Sequence, residues 1–208
     1  MSVEIIDCEQ GTEQWLQARL GLPTASRFHE VLAKGEGKTR AKYIRELAAE
    51  VARGWPEPDT YSNAHMDRGR EQEVRARALY VMSYAKEPVT QVGFLRNGRA
   101  GASPDSLVGA TGGLEIKSAL GHIQVERLNR GACPPEHVAQ VQGNIWVSER
   151  EWWDFMSFSP DLPPLIVRVQ RDDAYCAQLA KAIDAFNEEL DSLVNSIRTY
   201  QNFRAVAA

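Results

Sequence analysis

Residues 89–118 read VTQVGFLRNGRAGASPDSLVGATGGLEIKS. A run rich in β-branched and apolar residues predicts a strand from Val89 to Leu95. Asn97-Gly98 supplies a hairpin turn, and a second strand is predicted from Ala100 to Val108. Gly112-Gly113 then leads into a third strand, Leu114 to Ser118. Residues i and i+2 of a strand point to the same face, so Glu115 and Lys117 share one face while Leu114 and Ile116 can enter the core on the other. A turn over 109–113 can fold this strand back toward Ser103-Pro104-Asp105, where two carboxylates and an ammonium would converge.

That combination suits a hard divalent cation. Magnesium takes oxygen ligands, commonly one or two carboxylates with water and substrate phosphate. A lysine beside them can orient a nucleophilic water or offset charge that develops on a phosphate. The carbonyl of Ile116, between the two side chains, is a further candidate ligand. A Glu-x-Lys alternation alone is common on surface hairpins as an ordinary ion pair. The Pro-Asp at hairpin distance distinguishes this one.

Outward from the strands, helices are predicted over Thr12–Leu20, Thr24–Ala33, Thr39–Arg53 and His65–Tyr84, the first two with a threonine placed to cap the first turn. The segment GWPEPDTYSN, 54–63, reads as a loop. A helix over Pro135–Val147 points Val138, Val141 and Ile145 at the core. Strands follow at Trp152–Ser157 and Leu165–Gln170, and a long amphipathic helix at Asp172–Arg198. This order predicts an α/β (α+β) domain with helices packed around one mixed sheet. Trp146, Trp152 and Trp153 read as core or interface aromatics rather than a base-stacking platform. His137 lies three residues before Gln140 on its helix, so it can approach whatever Gln140 approaches.

The 208 residues are 43% apolar and 25% charged, ordinary for one globular domain, and no apolar run reaches membrane-spanning length. A single domain is expected, with a helical part at 1–63, a core at 64–171 and a C-terminal helix at 172–198. Three separated cysteines without a Cys-x-x-Cys argue against a zinc site and fit a reducing cytoplasm, and the acidic first ten residues are no secretory signal. The net charge of −4 gives DNA binding no support, but its distribution is uneven. Seven basic residues lie between Arg19 and Arg45, and six acids between Asp172 and Asp191, so one end looks able to meet a polyanion and the other to repel it. Two solvated helix faces would look the same.

The spaced set Pro104-Asp105 and Glu115-x-Lys117 resembles the PD-(D/E)xK nuclease superfamily. From about Thr12 to Tyr175 the chain is similar to the phage lambda exonuclease family of alkaline, recombination-associated nucleases. The similarity runs through WLQARLGLPTASRFHEVLA, MDRGREQEVRARALY, GASPDSLV, GLEIKSA and HVAQVQGNIWV. It implies a restriction-endonuclease-like mixed central sheet flanked by helices. It implies metal-binding roles for Asp105, Glu115 and the Ile116 carbonyl, and catalysis by Lys117. Gln140 would lie on the active-site helix and Glu73 on the helix before it, with Glu71 a close rival. Arg19 and Ser26 match positions that hold a 5′ phosphate. Free N–H groups at a helix start and a forked arginine suit that anion; a capping Thr24 and a surface Arg19 are the plainer alternative.

The resemblance also implies Mg2+, two ions with Mn2+ able to substitute, and 5′-to-3′ digestion of one strand of linear duplex DNA to leave 3′ overhangs. A homotrimer ring around the DNA, a single-strand annealing partner, and a phage or prophage gene expressed in the bacterial cytoplasm complete the implication. A structure-specific or restriction-like endonuclease with the same metal site is the first alternative, separable by its cutting of covalently closed circles. A DNA-binding assembly module with an idle site is the second.

Overall fold

The computed structural model describes residues 2–33, 38–56 and 64–206. Most of the predicted 54–63 loop lies outside them. Two sheets form instead of one. The smaller is antiparallel, in the order β1 (Glu4–Ile6), β3 (Phe94–Asn97), β4 (Ala100–Ala102). The larger runs β2 (Val89–Thr90), β5 (Ser106–Val108), β6 (Gly112–Ser118), β7 (Trp152–Phe158), β8 (Leu165–Gln170). It is mixed because β6 and β7 are parallel while its other pairs are antiparallel.

The two-sheet arrangement originates in the meander. Each of the first two predicted strands is one run in sequence but serves both sheets: β2 and β3 divide the first, β4 and β5 the second. The break in the second falls at Ser103-Pro104-Asp105, where proline cannot donate to a ladder. The β3–β4 hairpin forms with Asn97 paired to Ala100, so the turn residues are Gly98-Arg99, one place beyond the predicted pair. Gly98 takes the positive φ of 58° that the turn demands.

The helices are α1 (Glu13–Ala18), α2 (Phe28–Val31), α3 (Lys38–Arg53), α4 (Ala64–Ser83), α5 (Gly121–Arg130), α6 (Pro135–Ser148) and α7 (Asp173–Val206). Thr12 caps α1 through the Trp15 amide as expected. The predicted helix at Thr24–Ala33 is a 3-10 turn, Ala25–Arg27, followed by the single turn of α2, and the Thr24 side chain caps nothing. Helix α5 and strand β1 escape the sequence reading. The strand is too short to show a period, and α5 is a short helix with few apolar residues, of which Val125 is exposed.

The large sheet buries both faces. Trp153 and Phe155 point into one cluster with α2, α3, α6 and α7 through Phe28, Tyr43, Leu47, Val141, Ile145 and Phe186. Leu114, Ile116, Trp152 and Met156 point into the other, against Ala76 and Tyr80 of α4. Both tryptophans are therefore core residues. The basic N-terminal segment and acidic α7 are not separate ends: Arg40 holds Glu189 at 2.6 Å, while Arg27 is taken up by Glu30 and Glu46. Much of that basic charge is spent within the molecule.

Gly101 ties the N-terminal segment to the small sheet. Its amide donates to the Pro23 carbonyl at 3.0 Å, and Thr24 bridges to it, so the Pro23-Thr24 segment lies beside β4. A Cβ there would sit 2.0 Å from the buried Phe94 ring. Gly101→Ala should therefore cost about 1–3 kcal/mol, the usual penalty of overpacking. An unchanged denaturation midpoint would show that the ring yields freely.

Candidate active site

Strand register builds the centre. Ser106 pairs with Leu114 in the antiparallel β5–β6 ladder, which sets Asp105, one residue earlier, opposite Glu115. Asp105 Oδ2 accepts the Ile116 amide at 2.5 Å, fixing that carboxylate against the strand that bears its partner. Alternation along β6 puts Leu114 and Ile116 into the α4-side cluster and turns Glu115 and Lys117 toward α6. The convergence expected from the hairpin is therefore present.

Glu115 is 2% exposed and is held on both oxygens. Its Oε1 accepts Gln140 Nε2 at 2.6 Å and Lys117 Nζ at 2.7 Å, and its Oε2 accepts Asn144 Nδ2 at 2.9 Å. Gln140 and Asn144 are four apart on α6, one helical turn, so both reach the same carboxylate. Asn144 is a site residue that sequence reading missed, although its place one turn after Gln140 was a usable signal. Gln142 points the other way: it is buried, donating to the Gln170 carbonyl and accepting the Asp172 amide.

The electrostatics are those of an under-neutralised acidic pair. Burial raises the Asp105 pKa well above the ordinary aspartate value, and the charges of Glu115 and Glu73 raise it further. Burial alone would lower the Lys117 pKa, but Glu115 and Asp105 outweigh it, so the ammonium stays protonated above its usual range. Glu73 reaches this field from α4 and pairs with Arg77, whose Nε donates to Ser106 Oγ at 3.2 Å. The Glu71 side chain is 72% exposed and pairs with Arg75 on the outer face. Of the two, Glu73 is the one whose charge reaches Asp105 and Lys117.

Among the described residues, no group of three or more His, Cys, Asp or Glu side chains is arranged to hold a metal. The donor set suited to one is smaller: Asp105, Glu115 and the Ile116 carbonyl between them. Its chemistry fits a hard dication, which takes oxygen donors and relieves repulsion between adjacent carboxylates. His137 stacks on Phe155, the register partner of Glu115, with ring centroids 5.2 Å apart. Burial, with Lys117 and Arg127 adding, holds its pKa down to about 4, so the ring is neutral beside the site.

Arg19 and Ser26 gather at the neighbouring edge. Arg19 Nη2 donates to Thr24 Oγ1 at 3.4 Å, and Thr24 and Ser26 hydroxyls lie 3.5 Å apart. The Arg19 guanidinium also lies 4.3 Å over the Trp15 ring, and the Trp15 indole donates to Ser103 Oγ at 2.8 Å. Ser103 is two residues before Asp105, so this cluster is tied directly to the acidic centre.

Comparisons with known proteins identify the fold and the family. The model of the YqaJ-like viral recombinase domain matches residues 14–151. The alkaline exonuclease LHK-Exo from Laribacter hongkongensis is 35% identical, with 92% of this chain and 98% of that one covered and a TM-score of 0.83. LHK-Exo in complex with dAMP superposes with a TM-score of 0.84 at 36% identity, over the same shares of each chain. A phage-related exonuclease from Haemophilus somnus shares the fold at a TM-score of 0.61 and 16% identity, over 85% of this chain and 96% of that one. No curated protein sequence matches the chain. Matched over more than half its length by the family model, this nuclease belongs to the YqaJ-like viral recombinases, a lambda-exonuclease-like family.

Proposed function

We propose that the chain is a Mg2+-dependent 5′-to-3′ exonuclease that degrades one strand of linear duplex DNA and leaves 3′ overhangs for recombination by single-strand annealing. The observation that carries this reading is the opposition of Asp105 and Glu115 across the β5–β6 ladder, with Lys117 on Glu115. Asp105, Glu115 and the Ile116 carbonyl would hold the metal, Mg2+ or Mn2+, as two ions. The metal supplies Lewis-acid charge and lowers the pKa of water.

The chain's own residues do the rest. Lys117 places an ammonium where negative charge grows on the scissile phosphate. Gln140 and Asn144 fix both oxygens of Glu115, so it meets the reaction already oriented. Glu73 adds negative charge that keeps Lys117 protonated. Arg19 and Ser26, tethered to the centre through Trp15 and Ser103, would receive the 5′ phosphate and so set the polarity. That LHK-Exo binds dAMP supports a site for a nucleotide monophosphate in this chain. A trimeric ring around the DNA and an annealing partner belong to the same proposal. Among the described residues no helix is long and apolar enough to cross a membrane, in keeping with action on DNA.

End recognition is its most specific consequence. A terminal phosphate carries more charge than an internal one, and a forked guanidinium can prefer it. Wild type should digest a 5′-phosphorylated duplex faster than a 5′-hydroxyl duplex. Arg19→Ala should erase most of that ratio by slowing the phosphorylated substrate alone, by about ten- to hundredfold. A preserved ratio in the variant would place the phosphate pocket elsewhere.

A further inference from the structure

Arg127 differs from most of the ion-paired arginines of the fold. Arg150 is likewise partly buried, with no carboxylate partner among the described residues, but it donates to the Gly109 and Gly112 carbonyls, away from the acidic centre. Arg40, Arg99, Arg168 and Arg171 each hold a carboxylate oxygen at 2.6 to 2.9 Å, and all are at least a fifth exposed. The Arg127 side chain is only 13% exposed, and its one carboxylate contact among the described residues is Glu136, at 3.8 Å and itself 60% exposed. Burial accordingly pulls its pKa below the ordinary arginine value, with Glu136 opposing only in part. A largely buried cation with so little counter-charge is costly unless an anion arrives.

Its position says which anion. Arg127 Nη1 donates to Ser157 Oγ at 3.1 Å, and Nη2 lies 3.0 Å from His137 Nε2. Ser157 is the register partner of Lys117 on the neighbouring parallel strand, so it occupies the same face one strand over. The neutral His137 can accept from the guanidinium, and its ring covers Phe155, the register partner of Glu115. The Ser157 hydroxyl in turn donates to Gln124 Oε1 at 2.6 Å, and Gln124 Nε2 is anchored on the Ser157 and Pro163 carbonyls. These contacts fix the plane of the guanidinium while using only part of its donor set.

We propose that Arg127 is a phosphate-binding residue of this site, held by Ser157 and His137 to contact a backbone phosphodiester of the DNA strand engaged beside Lys117. The assignment rests on the nuclease reading above. Nothing in the sequence around Arg127 announces it, since it lies on the helix that the sequence reading missed. A purely structural Arg127, tying α5 to β7 and α6, is the competing account, and the two differ in how binding responds to salt.

The test is a salt titration of duplex DNA binding with Ca2+ at fixed concentration, for wild type, Arg127→Gln and Arg127→Lys, with thermal midpoints measured alongside. Each phosphate neutralised on duplex DNA contributes about −0.9 to the slope of log K against log salt. Arg127→Gln should weaken binding by about ten- to hundredfold and make the slope shallower by about one. Arg127→Lys keeps the charge but cannot reproduce the fork, so it should retain the wild-type slope. An unchanged slope in a folded Arg127→Gln variant overturns the assignment. If Arg127→Gln does not fold, Arg127→Lys decides: a folded lysine variant that keeps the slope but binds DNA severalfold more weakly than wild type upholds the assignment, and one that binds as tightly as wild type, or also fails to fold, overturns it. Failure of wild type to bind DNA at all would instead sink the nuclease reading itself.

Discussion

Asp105→Ala and Glu115→Gln should each lower DNA cleavage by at least about a hundredfold, roughly 3 kcal/mol of barrier, while the fold survives. The two carboxylates face each other across the β5–β6 ladder and are the only oxygen pair so placed beside Lys117 among the described residues. A second consequence separates function from stability. The Asp105 pKa is raised in the folded state by burial and by Glu115, so folding shifts its balance toward the protonated form. The stability this contributes is full below the ordinary aspartate range and is lost as pH rises toward the raised value. Without metal, Asp105→Asn should therefore be more stable than wild type at neutral and alkaline pH, with the gap closing as pH falls toward about 4. Near-normal cleavage by either folded variant at saturating Mg2+ would remove these residues from the site, and a pH-independent stability gap would contradict the electrostatics.

Lys117→Ala should lower turnover by about a hundredfold or more with little loss of DNA affinity in Ca2+, which fills oxygen sites but serves the chemistry poorly. The ammonium lies 2.7 Å from Glu115, and its charge lowers the Asp105 pKa. Removing it also takes a positive charge from beside the carboxylates and so alters metal affinity, which is why the comparison belongs at saturating metal. Single-turnover rates separate the possibilities: a slowed chemical step with intact binding fits a residue that acts as charge develops. Lost binding with normal turnover at saturating DNA would make Lys117 a positioning residue.

The site was more legible in the sequence than the sheet around it. Strand alternation needs only a few residues to place Glu115 beside Lys117 and to turn Leu114 and Ile116 away, and the structure keeps that arrangement. Sheet membership is set by partners distant in sequence. The meander therefore concealed that β4 pairs with β3 while β5, just beyond the Ser103-Pro104-Asp105 break, pairs with β2 and β6. Asn144 and Gln142 show the same limit in side chains: nothing local in sequence marks their burial, and tertiary contacts bury one against Glu115 and the other against the β8 end. The charge asymmetry between Arg19–Arg45 and α7 was real, but pairing such as Arg40 with Glu189 turns part of it inward. A charge count along the chain cannot see that.

The measurement that bears most directly on the proposed activity is digestion of end-labelled linear duplex by purified wild type and Glu115→Gln, in Mg2+ and in chelator, with a covalently closed circle of the same DNA in parallel. The proposal expects wild type in Mg2+ to release nucleotides from the 5′-terminated strand of the linear duplex. It expects the circle to remain intact, and no digestion in chelator or by the variant. Cutting of the circle would mark an endonuclease, and digestion that persists in chelator or in Glu115→Gln would contradict a metal site built on Asp105 and Glu115.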